Sequence, residues 1–203
     1  MFEELLIHPR TLSQLQQFVA HPSHGLILTG PDGSGKRTLA RAVAAAILVL
    51  KTEKLTDYPY YSFTDPDDTS ITVDEIRSLQ KLLTLKTPYV EHSNIRRVIA
   101  IIDAGRMRFE AQNAFLKSLE EPPVDTSIIL TADTIGDLLE TMLSRAQHID
   151  VLPVSESMAT EYYGKQGVSA VQIARNYALS QGQAGLLNSL LFDDTTHMLK
   201  EGG

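Results

Sequence analysis

The 203-residue sequence contains no cysteine and no tryptophan, and its apolar runs are short. The absence of cysteine excludes disulfides, thiolate catalysis and cysteine zinc sites. The longest apolar run, residues 42–50, is nine residues long, whereas a membrane-spanning helix needs about 20. The first ten residues include two acids and lack the apolar core of a signal peptide. The sequence therefore predicts a cytoplasmic protein without a membrane segment.

Positive charge is also scarce, and it is unevenly distributed along the chain. There are 18 Lys and Arg against 25 Asp and Glu, which gives a net charge of -7. Residues 1–109 carry 13 basic and 12 acidic side chains, whereas residues 110–203 carry 5 and 13. Neutralisation of phosphates supplies most of the non-specific affinity of proteins for nucleic acids. A chain with this net negative charge is therefore expected to bind DNA poorly by itself. Any role on DNA is therefore expected to be shared with partners.

Short apolar runs alternate with helical periodicity over the first 152 residues. Fully apolar strands between helices predict a parallel sheet that is covered on both faces, which is an α/β fold. Glu120 and Glu121 precede two prolines and are interpreted as structural residues that close a helix. The predicted strands are 26–28, 60–63, 97–102, 127–131 and 147–151. Three of the predicted helices are 12–18, 39–50 and 107–119. A further helix is predicted to have Thr72 or Asp74 as its cap, to run to about Leu85 and to be ended by Pro88.

The pattern changes after Pro153, where strand-like runs stop and three helices are predicted, at residues 155–166, 169–180 and 184–200. We therefore predict two domains, an α/β domain over residues 1–152 and a small helical lid over residues 153–203. The lid is too short to build a robust core alone, so we expect it to lean on the first domain.

A glycine-rich run lies between the first predicted strand and the helix that follows it. Residues 30–38 have the sequence GPDGSGKRT and fit the phosphate-loop pattern G-x-x-x-x-G-K. Glycines allow backbone N–H groups to form an anion-binding nest, and the helix N-terminus adds its dipole. The alternative is a glycine-rich connecting turn. The residues predicted to bind the phosphates of ATP or ADP are Gly30, Gly33, Ser34, Gly35, Lys36, Arg37 and Thr38.

Two features of an efficient hydrolytic site are missing from this pattern. Arg37 occupies the position of the Ser or Thr that normally binds Mg²⁺, and Thr38 is rotated from it by about 100°. Asp103 follows a predicted buried strand, but Ala104 replaces the second acid that would polarise the attacking water. Asp103 is interpreted either as a residual Mg²⁺ ligand or as a helix N-cap. The sequence therefore favours neither a well-ordered Mg²⁺ nor efficient ATP hydrolysis by this chain alone.

Several sequence blocks carry a resemblance to a known family. They include VIAIIDAGRM from residue 98, AQNAFLKSLEEPP from residue 111, SIILTAD from residue 127 and TMLSR from residue 141. With these blocks in this order, the chain resembles the AAA+ module of bacterial clamp loaders, and within it the delta-prime subunits of DNA polymerase III. The block ITVDEIRSL from residue 71 is similar to the strand-to-helix segment that precedes the Walker B acid in this family, and the corresponding acid here is Asp103.

The resemblance implies a RecA-like P-loop domain, a helical lid and a separate collar domain. It also implies a ring in which one subunit binds ATP and its neighbour supplies the arginine of a Ser-Arg-Cys motif. That motif is Ser144-Arg145-Ala146 here, so Arg145 is the candidate that acts in trans. The implied partners are other clamp-loader subunits, with the sliding clamp and primer-template DNA only as part of the complex.

The sequence departs from the family in four places. It has no four-cysteine zinc module, no second acid after Asp103, no arginine in the sensor-2-like turn at residues 181–185 and no collar within its 203 residues. We therefore predict a clamp-loader subunit with a degenerate nucleotide site that donates Arg145 to a neighbour. The alternative is a slow AAA+ ATPase or nucleotide switch of the same fold, which the intact Gly35-Lys36 pair favours.

Overall fold

A computed structural model describes residues 2–66, 69–87 and 95–192 of the chain. Within these ranges the chain forms a five-stranded sheet in which every pair of neighbours is parallel. The strand order is β2-β3-β4-β1-β5. The strands are β1 (Gly25–Thr29), β2 (Tyr61–Thr64), β3 (Arg97–Ile101), β4 (Thr126–Ala132) and β5 (Gln147–Asp150).

The central strands β1, β3 and β4 are buried at every residue, whereas the edge strands β2 and β5 are partly exposed. A strand that is covered on both faces has no solvent side, so its sequence is a near-continuous apolar run rather than an alternating pattern. All five predicted strands are confirmed, and each end lies within one residue of its predicted position.

Eight α-helices lie in the described part of the chain. None of the helices described is both long and apolar enough to cross a lipid bilayer. The helices are α1 (Pro9–Ala20), α2 (Lys36–Ile47), α3 (Val73–Leu83), α4 (Phe109–Glu120), α5 (Glu140–Leu143), α6 (Glu156–Gly164), α7 (Ala170–Ser180) and α8 (Ala184–Phe192).

Helix ends agree less well with the prediction than strands do. The predicted start of α4 at Met107 is wrong, because Met107 is extended and pairs with Ile71 in an isolated parallel bridge. Thr72, and not Asp74, caps α3, and its hydroxyl and Glu75 form a reciprocal capping box. The predicted helix end at Pro88 and the predicted continuation of α8 over residues 193–200 lie outside the described residues.

The sheet separates two hydrophobic cores. On one face α1 and α2 cover the strands with fully or almost fully buried side chains such as Phe18 and Val43. On the other face α3 and α4 contribute Ile76 and Phe115, which are equally buried. Burial of side chains of this size stabilises the fold by about 1.5–3 kcal/mol each. The two cores fix the positions of the strands, and the candidate site lies at the carboxyl ends of these strands.

Helices α6 to α8 enclose a third, smaller cluster around Tyr163 and Leu187. Leu6 from the N-terminal segment packs against this cluster, and the Tyr162 hydroxyl donates a hydrogen bond to the Glu4 carbonyl at 2.5 Å. Helices α6 to α8 thus pack against the N-terminal segment of the chain. The division into two domains at residue 152 stays a prediction.

A charged cluster stabilises the amino ends of β3 and β4 around Asp125. Burial raises the pKa of this carboxyl, but hydrogen bonds and positive charges outweigh burial and leave the pKa below its usual range. The hydrogen bonds come from the hydroxyls of Thr87 and Thr126, and the charges are those of Arg97 and Arg96. The carboxylate therefore favours the folded state only while it is ionised.

We expect Asp125→Asn to lower the free energy of unfolding at pH 7 by about 1 kcal/mol, because a charged acceptor forms stronger hydrogen bonds than an amide. A folded-state pKa below the unfolded value near 4 stabilises the protein above that pH, and the contribution is lost as pH falls through the folded pKa. The deficit of the variant should therefore shrink in acid. Urea titrations at several pH values measure it, with the exposed Asp57→Asn as a control. An equal deficit at pH 7 and pH 3 would contradict this assignment.

Candidate functional site

The glycine-rich loop connects the end of β1 at Thr29 to the start of α2 at Lys36. Gly33 and Gly35 have φ angles of 75° and 96°, a region in which a side chain would strain the backbone. The loop therefore has the strand-to-helix position that a phosphate loop requires. It lies at the carboxyl edge of the sheet, and Asp103 and Asp133 follow the neighbouring strands β3 and β4 at that same edge.

The Lys36 ammonium is folded back across its own loop. Its Nζ donates hydrogen bonds to the carbonyls of Gly30 at 2.5 Å and Pro31 at 3.0 Å, and to Asp133 Oδ1 at 2.9 Å. The lysine side chain is only 7% exposed. All three donors of the ammonium are thus used within the chain. The Asp133 carboxylate is thus the anionic partner of Lys36 in this structure.

Two further polar groups of the loop differ in whether they have a hydrogen-bond partner. The Gly33 N–H donates to the Asp32 carboxylate at 2.8 Å, so one amide of the nest already has an anionic acceptor. The hydroxyl of Ser34 is buried and has no hydrogen-bond partner among the described residues. The nest therefore combines an amide that is already satisfied with a hydroxyl that is not.

The start of α8 packs directly on the phosphate loop. The Leu186 N–H donates to the Gly33 carbonyl at 2.8 Å. A Cβ atom added to Gly185 would lie 2.8 Å from the Gly33 oxygen and 3.0 Å from the Gly35 nitrogen, which is too close for any side chain. The sensor-2-like turn thus reaches the loop through backbone atoms.

A cavity of about 500 Å³ opens beside the loop. Its volume lies within the range of small-molecule sites. The N-terminal segment over residues 4–8, the loop and the start of α8 line it, together with Tyr163 and Asn188. Burial, and then the neighbouring Tyr162, raises the pKa of Tyr163 to about 12, so this phenol is neutral at physiological pH. The cavity therefore has an apolar side next to the polar phosphate loop.

Arg37 and Thr38 are exposed residues that line the same cavity. Arg37 Nη2 contacts Asp65 Oδ1 at 2.6 Å, directly after β2, so its guanidinium is paired with an acid of its own chain. Thr38 is exposed and lines the cavity.

Asp103 adopts a left-handed backbone conformation with φ of 49° after β3. Its N–H donates to the Thr131 hydroxyl at 2.9 Å, and its carboxylate lies 3.6 Å from Arg106 Nε. Asp103 is the N-cap residue of a short 3₁₀ turn, Ala104–Arg106, but its side chain makes no cap hydrogen bond. Arg108, and not Asp103, is the N-cap residue of α4, so the interpretation of Asp103 as the cap of that helix is wrong. Over residues 2–66, 69–87 and 95–192 no group of three potential metal ligands is found. A role of Asp103 toward Mg²⁺ stays a prediction.

Arg145 lies in the turn between α5 and β5, at the opposite end of the sheet from the loop. A Cβ atom added to Gly25, the first residue of β1, would lie 2.9 Å from Ala146 Cβ, so this turn is next to the amino end of β1. The loop follows the carboxyl end of the same strand. Five residues of strand separate the two places by roughly 15 Å. Arg145 is therefore on the wrong edge of the sheet to serve its own loop.

The Arg145 guanidinium is held by three contacts at the surface. Its Nη1 donates to the Thr141 carbonyl at 2.7 Å and to the Ser144 hydroxyl at 3.1 Å, and its Nη2 lies 2.6 Å from Glu120 Oε1. The side chain is 33% exposed. A molecule that approaches this edge can therefore contact the guanidinium.

The protein-family model described as DNA polymerase III, delta subunit, matches residues 7–155. The chain belongs to this family. The resemblance to bacterial clamp loaders that the motif blocks predict is thereby confirmed, and the matched range includes the loop, Asp103 and Arg145.

The curated relatives of this chain include delta-prime subunits of DNA polymerase III. The subunit from Bacillus subtilis strain 168 is 25% identical over 212 residues, which is 89% of this chain and 63% of the relative. The subunit from Pseudomonas aeruginosa strain PAO1 is 31% identical over 144 residues, or 62% of this chain and 42% of the relative. The chain thus spans less than two thirds of either relative.

Solved structures with a similar fold are P-loop AAA+ proteins. A DNA polymerase III gamma subunit-related protein from Thermotoga maritima has a TM-score of 0.62 and 23% identity, and the match covers 94% of this chain and 65% of that one. The RuvB Holliday junction branch migration motor from the same organism has a TM-score of 0.62 and 14% identity, with coverage of 89% and 59%. The predicted fold class, a parallel P-loop sheet with helices on both faces, is confirmed.

Sequence reasoning missed three acids that the structure brings to the candidate residues, one of which is Asp65 beside Arg37. Asp133 pairs with Lys36, and Glu120 pairs with Arg145. The only signal for Asp133 was its place directly after a buried strand, because the carboxyl ends of parallel strands share one edge. Glu120 carried no such signal beyond its position at the end of a helix.

Asp133→Asn is expected to tighten the binding of ADP several-fold, because the Lys36 ammonium would lose its internal anion and attract phosphate more strongly. The wild-type protein should bind ADP only weakly, and Mg²⁺ should change the affinity little, since Arg37 replaces the metal-binding hydroxyl. Calorimetric titrations with and without Mg²⁺ measure both effects. Asp57→Asn is the charge-matched control outside the cavity lining. Equal affinities for the Asp133 variant and the wild type would contradict the role given to this pair.

Proposed function

We propose that this chain is a clamp-loader subunit whose own nucleotide site is degenerate and whose Arg145 acts on ATP bound by a neighbouring subunit. The single observation that carries the proposal is the position of Arg145 at the surface, on the edge of the sheet opposite its own phosphate loop. From that edge, the nucleotide within reach is one held by another molecule. An arginine suits the task because its guanidinium stays charged and can contact two phosphate oxygens.

The condition of the chain's own loop supports the same proposal. Lys36 is neutralised by Asp133, Arg37 is paired with Asp65, and Ala104 takes the place of a second acid. Hydrolysis needs a stabilised metal and a group that orients the attacking water. A subunit that contributes only to its neighbour's site can lose both without harm to the complex.

The partners in this proposal are other clamp-loader subunits, at least one of which carries a complete phosphate loop. The sliding clamp and primer-template DNA are partners only through the assembled complex. Charge supports this division, because residues 110–203 have 5 basic against 13 acidic side chains. An isolated chain of that charge has little affinity for phosphate backbones.

Reconstitution tests the proposal. The chain is added to the ATP-hydrolysing clamp-loader subunit of the same organism, with the sliding clamp and primer-template DNA present. We expect the chain to enter a complex with that subunit and to increase its rate of ATP hydrolysis. A complex whose hydrolysis rate is the same without this chain would overturn the proposal.

The second candidate is a slow AAA+ ATPase or nucleotide switch. The 500 Å³ cavity beside the loop and the intact Gly35-Lys36 pair favour it, because a base and ribose could be accommodated next to the phosphate nest. The two candidates differ in where hydrolysis occurs. The ATPase candidate requires turnover at Lys36 of this chain, whereas the clamp-loader candidate requires turnover at a neighbour.

A further inference from the structure

We propose that Glu120 is the positioning residue of Arg145, an inference that rests on the proposed function. Glu120 is the last residue of α4, and its Oε1 lies 2.6 Å from Arg145 Nη2. The two residues are 25 positions apart and meet where the end of α4 lies beside the turn after α5. The fold, and not proximity in the sequence, therefore brings the carboxylate to the guanidinium.

The contacts of Arg145 fix the plane of its guanidinium from two sides. Thr141 and Ser144 accept hydrogen bonds from Nη1 on the α5 side, and Glu120 contacts Nη2 from α4. These three contacts use three of the five N–H donors of an arginine. Two donors, on Nε and Nη2, remain for phosphate oxygens, since no further partner of Arg145 occurs in the part of the chain that the structure describes.

A fixed guanidinium suits a group that must enter a neighbour's site. A free arginine side chain loses rotamer entropy when it is ordered, and a group held in place by supporting contacts has already lost it. The Glu120 carboxylate is 43% exposed and the Arg145 side chain is 33% exposed, so the pair is open to a docking subunit. Glu120 thus orients Arg145 without covering it.

The chain provides a matched control for this inference. Glu121 is the same residue type one position later, is exposed and has no ion pair with the described residues. Glu120→Gln and Glu121→Gln therefore change the net charge equally on the same helix end. Only the first removes the negative charge that contacts Arg145.

The experiment measures ATP hydrolysis by the reconstituted complex with each variant. We expect Glu120→Gln to lower kcat roughly 10- to 100-fold at an unchanged KM for ATP, because misplaced catalytic groups lose activity on this scale. Glu121→Gln should match the wild type, and Glu120→Asp should restore part of the rate. In a chain that already carries Arg145→Ala, Glu120→Gln should have no further effect.

The outcomes separate the two proposals. A large effect of Arg145→Ala with no loss, or with a gain, for Glu120→Gln overturns the positioning role and leaves the proposed function standing. An effect of Glu120→Gln that persists in the Arg145→Ala background also overturns it, because the carboxylate then acts elsewhere. No effect of Arg145→Ala overturns the proposed function, and the positioning role with it. Thermal unfolding of each purified variant establishes that the fold is retained.

Discussion

Arg145→Ala is expected to reduce ATP hydrolysis at the neighbouring site by about 10³-fold or more, the contribution that inserted arginines make in phosphoryl transfer. The positive charge stabilises the negative charge that develops on the transferred phosphoryl group, and alanine cannot replace it. Steady-state hydrolysis by the reconstituted complex with clamp and primer-template DNA measures the effect. Clamp loading should fall in parallel.

Arg145→Lys is the matched variant for this result. Lysine keeps the charge but concentrates it on one ammonium group, which cannot contact two phosphate oxygens in the geometry of a guanidinium. We expect it to restore only a small part of the rate. Full activity with lysine would show that charge alone is needed at this position, and wild-type activity with alanine would make Arg145 an ordinary surface residue.

Loss of stability does not account for the expected effect, because Arg145 is a surface residue. Its side chain is 33% exposed, and its hydrogen bonds are to Thr141, Ser144 and Glu120 at the same surface. Exposed ion pairs contribute little to stability, about 0–1 kcal/mol. The variant should therefore unfold at nearly the wild-type temperature and should still assemble, as size-exclusion chromatography would show.

The second large effect concerns the chain's own loop. Purified protein with Mg²⁺ and ATP is expected to show a turnover rate about 10²–10⁴ below that of a complete site, because the acid that polarises the attacking water is missing. Arg37, which is paired with Asp65, replaces the hydroxyl residue that normally binds Mg²⁺, so a second feature of a hydrolytic site is also missing. A steady-state phosphate-release assay measures the rate.

A contrary result would be informative about the alternative function. Turnover near 1 s⁻¹, the lower end of ordinary enzyme rates, that disappears in Lys36→Ala would show that the chain hydrolyses ATP at its own loop. The missing acid would then be replaced by another group at this edge of the sheet, of which Asp133 is the first to test because it contacts Lys36 at 2.9 Å.

The fold was predictable from the sequence because its main signal is local. Each buried strand contains an uninterrupted run of at least three apolar residues, and the loop is a contiguous motif between β1 and α2, so neither needs long-range information. The start of α4 was not predictable, because Met107 has helical spacing with Ala111 but is extended to pair with Ile71. Pairing between distant segments overrode local periodicity there.

The same distinction explains what could be predicted of the candidate site. Lys36 and Arg145 belong to short motifs, whereas their acidic partners lie 97 and 25 residues away in the sequence. The contact of Gly185 with the loop likewise depends on how α8 packs and not on its own sequence. Sequence reasoning therefore found the cations of both sites, and only the structure found the carboxylates that hold them.

One comparison within the assembled complex tests the central claim most directly, namely that this chain contributes to hydrolysis through Arg145 and not through its own loop. Lys36→Ala and Arg145→Ala are introduced separately into this chain, and ATP hydrolysis by the complex is measured beside the wild type. The expected result is a rate close to that of the wild type for Lys36→Ala and a loss of about 10³-fold at the neighbouring site for Arg145→Ala. The opposite pattern, with activity lost in Lys36→Ala and kept in Arg145→Ala, would contradict the claim.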